Sequence, residues 1–146
     1  RGESRVVPRI SDLRNVAASC RGKLELMLAD DEQAEDKLIT ALIGEAVKNV
    51  FANYTEESEL EAVVDHFTER EANIEIGDEI GSEAMAGAVS KIEALTSPVA
   101  SICARCDRSP TDTANLASAA EFVLDGLYVN NRLSKYAYHG RSFYKR

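Results

Sequence analysis

Apolar residues return every three or four positions along most of this chain, the spacing that lays a stripe down one side of a helix. In SDLRNVAASC, Leu13, Val16, Ala17 and Cys20 share a face and Ser11 or Asp12 stands where a cap is needed, which predicts a short first helix. Arg21-Gly22 ends it. KLELML then alternates Leu24, Leu26 and Leu28 with Lys23, Glu25 and Met27, the period of a short extended segment. The carboxylates of ADDEQAED sit just ahead of a long periodic run, where the positive end of a helix dipole favours them. In that run Leu38, Ile39, Leu42, Ile43, Ala46, Val47, Val50, Phe51 and Tyr54 step in pairs by four, predicting a helix from about Glu35 to Tyr54 with a wide apolar face.

The pattern continues beyond it. Thr55 can cap a helix that buries Leu60, Val63, Val64 and Phe67 and ends near Arg70. ANIEIGDEIG, with Ile74 and Ile76 alternating before Gly77, reads as a small strand or loop. Ser82 can cap a further helix with Met85, Ala88, Val89, Ile92 and Leu95 inward, and Ser97-Pro98 breaks and restarts it as a short helix through Ile102. Ser109-Pro110 opens a final long helix, with Leu116, Ala119, Ala120, Val123, Leu127 and Tyr128 on or near its inner face, running to about Lys135. The expected fold is mainly α, a helical bundle of about five or six helices with one or two short extended segments. No internal repeat is present, and an internal boundary is expected between Arg21 and Asp31.

The composition is that of an ordinary folded domain: 146 residues, 45% hydrophobic and 29% charged. Charge changes the picture more than composition does. The net charge is −8, yet Arg132, Lys135, Arg141, Lys145 and Arg146 close the chain with no acidic residue among them, so residues 1–131 carry −13. An acidic body repels a phosphate backbone, which disfavours nucleic acid as a partner. No apolar run reaches the roughly 20 residues of a membrane helix and no signal peptide opens the chain, so no membrane partner and a cytoplasmic location are expected. Cys20, Cys103 and Cys106 make an odd count, for which reduced thiols are the expected state.

Chemical motifs are sparse. Gly22-Lys23 is the one place where a phosphate-binding loop could end, but Ala17 occupies the upstream glycine position and Leu24 the hydroxyl position. Cys103-Ala104-Arg105-Cys106 has the spacing of a zinc or redox pair, yet no second C-x-x-C and no histidine pair accompanies it; His66 and His139 are far apart. Asp30-Asp31-Glu32 and Glu35-Asp36 lack the alternation and central glycine of a calcium loop and read as a solvated helix start. His66 has no nucleophile beside it at a recognisable motif. Catalytic, cofactor-binding and metal residues are thus expected to be none. The tail YAYHGRSFYKR interleaves aromatic and basic residues, a mixture that packs back on the acidic body or frays, anchors on a protein groove, or, least favoured, stacks on nucleic-acid bases; Tyr136, Tyr138, Arg141, Phe143 and Tyr144 are the candidate partner contacts.

A resemblance gives these pieces a context. RGESRVVPRISDLRNVAASCRGKLEL resembles the end of the helical lid in AAA+ ATPases of the MoxR and magnesium-chelatase ATPase-subunit group. There, a glycine-containing turn, a V-x-P step and an Asp-Leu pair lead into the last lid helix; Val6, Pro8, Ile10, Asp12 and Leu13 carry that step here. AAEFVLDGLYVNNRLSK, residues 119–135, resembles the helix that closes such chains, while the middle agrees only in being helical and acidic. The resemblance implies that residues 1–22 end a lid subdomain, 23–135 form an accessory helical domain and 136–146 a basic aromatic tail. It implies a longer parent chain that binds ATP and magnesium through motifs upstream of these stretches, with no cofactor in this segment. The implied partners are the AAA+ core of the same chain, neighbouring subunits and a protein client. Two other readings stay open: a free-standing acidic helical interaction module, and a zinc or redox protein built on Cys103 and Cys106.

Overall fold

The computed structural model describes residues 7–20, 22–23, 32–77, 80–138 and 141–146. Among these, the elements run α1 (Leu13–Cys20), α2 (Glu32–Tyr54), α3 (Glu57–Glu69), β1 (Ile74–Gly77), α4 (Ser82–Val89), α5 (Thr96–Arg105), α6 (Thr113–Val129), β2 (Ser134–Tyr138) and β3 (Arg141–Lys145), with 3-10 turns at Ile10–Asp12 and Glu93–Leu95. The protein is mainly α, a helical bundle joined to a small antiparallel sheet ordered β1-β3-β2. No helix among the described residues is long and apolar enough to cross a membrane. The KLELML stretch beyond Lys23 lies outside the described residues, as does His139.

α6 is the axis. Its start is fixed by Asp112, whose side chain accepts hydrogen bonds from the backbone N–H groups of Ala114 (2.9 Å) and Asn115 (3.4 Å), so the cap falls after Ser109-Pro110 rather than on it. Small residues at Ala117, Ala119 and Ala120 and larger ones at Val123, Leu124 and Leu127 are buried, against α2, α4 and α5. At Gly126 the bare Cα admits the Phe51 ring of α2, which also meets Phe122 edge-on at 5.5 Å between centroids. α2 turns only one edge of its apolar stripe inward. Ile39, Val47 and Phe51 are buried, whereas Leu42 is 56% and Val50 47% exposed, so the wide face the periodicity predicts is used by half.

Several boundaries differ from the pattern's expectation for local reasons. Thr55 does not cap α3; its hydroxyl donates back to Phe51 O at 2.8 Å, and Glu56 takes the cap position. α4 stops at Val89, because the Ser90-Lys91 turn intervenes before Ile92 and the 3-10 turn. Pro98 lies in the first turn of α5, where its missing N–H breaks no helical bond. The largest difference is at the end of α6. Asn131 takes φ of 58°, and the N–H groups of Arg132 and Leu133 both return to Leu127 O at 2.8 and 3.3 Å, closing the helix at Val129 instead of near Lys135.

That closure releases the chain into β2. β3 pairs on both sides, with Tyr144 opposite Ile74 of β1 and Lys135 of β2, and Phe143 opposite Glu75 and Tyr136. Strand alternation therefore sends Ile74, Ile76, Lys135 and Tyr144 to the bundle side, and Glu75, Tyr136, Tyr138, Arg141 and Phe143 to the outer side. Of the residues expected as a tail, 136–138 lie in β2 and 141–145 in β3.

Candidate functional site

One face of α6 carries a polar stripe through an otherwise apolar interior, formed by Ser118, Glu121 and Asp125 at the three- and four-residue steps of a helix. Ser118 Oγ donates to Pro8 O at 2.6 Å. Glu121 is 2% exposed; its Oε2 accepts from Arg9 Nε at 2.6 Å and its Oε1 from Ser11 N at 2.8 Å. Arg9, itself buried, also donates from Nη1 to Ile80 O at 2.9 Å. One turn further, Asp125 Oδ1 accepts from Lys135 Nζ at 2.6 Å and from the Tyr144 hydroxyl at 2.8 Å. The same ammonium lies 5.2 Å from the Tyr144 ring centroid and 5.5 Å from that of Tyr128.

The stripe therefore grips the segment before α1 with Ser118 and Glu121, and the sheet with Asp125. Two cations and two carboxylates balance, and each buried carboxylate is engaged by a cation and a second donor, the arrangement that makes burial of charge tolerable. Burial, then the charge of Asp125 and its hydrogen bond, push the Tyr144 phenol far above its ordinary value, so it stays a neutral donor. Chemically this is a clamp. A cleft of about 640 Å³ lies over it, bounded by Ile10 and Leu13, by α2 from Thr40 to Lys48, and by Lys135 and Tyr144.

The five candidate contacts from sequence separate by face. Tyr136 stacks on Phe143 at 5.1 Å with rings 11° apart, and Lys145 Nζ sits 5.3 Å from the Tyr136 ring centroid. Tyr138 stands on the same outer face, 65% exposed, and Arg141 on that face pairs with Glu75 at 2.7 Å. Tyr144 does not join them: it is 1% exposed and points inward to Asp125.

The remaining motifs stay scattered. Cys103 is buried in α5 and Cys106 is exposed just past its end, both as free thiols. Burial, then Cys106 and Asp112 nearby, push the Cys103 thiol up, which keeps it protonated at neutral pH. His66 lies half-buried on α3 with its ring edge-on to Phe67 at 6.1 Å. No group of three His, Cys, Asp or Glu among the described residues is arranged to hold a metal. Sequence reasoning missed Arg9, Glu121 and Asp125, although Glu121 and Asp125 four apart inside the apolar run of α6 were a readable signal, because charges there require buried partners. Comparison with protein-family models, with curated proteins and with solved structures returned no match.

Proposed function

We propose that this chain is the non-catalytic C-terminal helical part of a magnesium-chelatase-like AAA+ ATPase, a coupling piece through which lid motion reaches neighbouring subunits or a client. One observation carries the reading. The two stretches that bear the resemblance, around Pro8 to Leu13 and around Glu121 to Lys135, meet in space through the Arg9–Glu121 ion pair although 112 positions separate the two residues. A displacement of the segment ahead of α1 would be passed to α6 through charge-assisted bonds, not through a loose tether. ATP and magnesium belong to the parent chain in this reading, and its compartment is the cytoplasm, in keeping with free thiols at Cys20, Cys103 and Cys106.

The test begins with the intact natural polypeptide. A Walker motif ahead of Arg1 is expected, and a polypeptide lacking one overturns the reading. In that ATPase, Glu121→Gln is expected to leave nucleotide affinity unchanged and to lower client- or assembly-stimulated turnover. The 146-residue chain alone is expected to show no calorimetric binding of a nonhydrolysable ATP analogue.

The free-standing interaction module is favoured by a different observation, the stacked Tyr136–Phe143 pair held on the outer face of the sheet beside Lys145. Stacked aromatic rings with a basic neighbour are a common anchor for a protein partner. The intact polypeptide sequence separates the two readings.

A further inference from the structure

Most arginines with described side chains here are matched with acid: Arg105 with Glu56, Arg132 with Glu57, Arg141 with Glu75 and Arg9 with Glu121. Arg108, just past α5, is exposed and makes no side-chain ion pair or hydrogen bond among the described residues. It stands at a groove of about 390 Å³ enclosed by the segment before α1, the C-terminal half of α2, α5 and α6. Ile10, Val50, Tyr54, Ile102 and Phe122 supply apolar walls. Among the described residues no acidic side chain lines the groove, although the chain carries a net charge of −8. Arg9 also forms part of the wall, and its charge is met by Glu121.

We propose that this groove binds a small monocarboxylate with an apolar tail, the carboxylate on Arg108 and the tail between Val50, Ile102 and Phe122. The size lies in the range of small-molecule sites. Apolar walls with half-exposed Val50 favour a tail that removes them from water. A single guanidinium without an acid partner matches one carboxylate in bidentate fashion. A phosphate would bring about two charges into the field of an acidic protein, and an alkylammonium would meet Arg108 with like charge, so both are disfavoured. The inference is independent of the coupling reading.

The experiment is calorimetric titration of the whole chain with decanoate, decylamine and decanol below their aggregation thresholds. Saturable one-to-one binding of decanoate is expected, with none of decylamine and weaker binding of decanol. Cys106 also lines the groove and is exposed, so bound decanoate is expected to slow its reaction with a thiol reagent. Arg108→Gln removes the charge and Val50→Glu adds an opposing one, both at exposed positions that the fold tolerates; each is expected to weaken decanoate by about tenfold, the loss of one charge-assisted contact. Equal binding of decylamine or decanol, absence of saturation, or undiminished affinity in either variant with a helical circular dichroism spectrum overturns the proposal.

Discussion

The ring of Phe51 fills the place where a side chain on residue 126 would begin: a Cβ built on Gly126 would lie 2.6 Å from Phe51 Cγ and closer still to two other ring carbons. α2 and α6 therefore approach at the one α6 position that lacks a side chain, and Phe51 cannot swing freely because Phe122 meets its edge. Gly126→Ala is expected to destabilise the fold by about 1–3 kcal/mol through overpacking, even though alanine favours helix. In the Phe51→Leu background the same change should cost less, and urea titration of the four proteins measures that coupling.

The Arg9–Glu121 pair makes a second, opposite kind of prediction. Glu121→Leu leaves a guanidinium buried without its acid, for which a loss of about 3–5 kcal/mol is expected. Arg9→Met combined with Glu121→Leu should recover most of that loss, since a buried ion pair contributes little over apolar side chains of similar volume. Chemical denaturation of the single and double variants checks it.

Tyr144 and Cys103 are expected to lower stability at alkaline pH. Each has its folded-state value raised, from ordinary values of 10.0 and 9.0, so the folded state holds its proton more tightly than the unfolded chain does. Below the unfolded values these groups leave stability independent of pH; as pH rises through about 9 and then 10, the unfolded chain ionises first and stability falls. Asp125, Glu121, Tyr128 and Lys135 are the titratable groups around the phenol. The urea midpoint should drop between pH 9 and 11 in the wild type, and Tyr144→Phe should flatten the upper part of that decline.

On the outer face of the sheet the expectation is near-neutrality. Tyr136→Ser removes a cross-strand stack between partly exposed rings and should cost no more than about 1 kcal/mol. Tyr144→Ser, on the opposite face of the same hairpin, opens a buried cavity beside Asp125 and should cost about 3–5 kcal/mol. Thermal unfolding separates the two.

The helices were legible wherever apolar pairs stepped by four, as at Val63, Val64 and Phe67 or at Ala119, Ala120 and Val123. What the pattern could not show was set by residues far away in sequence. Leu42 and Val50 fit the α2 stripe as well as Val47 does, but only contact with α6 decides which edge is covered. The end of α6 depended on Asn131 adopting a left-handed conformation, a choice that asparagine permits without demanding. The hairpin was hidden because its second strand, β3, pairs with the distant β1, and an alternation of Lys135, Tyr136, Ala137 and Tyr138 has no buried side until Ile74 is placed beside Tyr144. For the site, charge in the middle of an apolar helix was visible, while the identity of its partners, Arg9 and Lys135, was not.

The strand order β1-β3-β2 also has a temporal side. A ribosome delivers β1 early and the strand that sits between β1 and β2 last of the three, so Ile74 and Ile76 must wait, unpaired, for Tyr144 and Ser142 to emerge. Nascent chains halted before that point would keep a helical core yet display a sticky, half-built edge, the kind of surface that invites capture by a chaperone or by another unfinished copy.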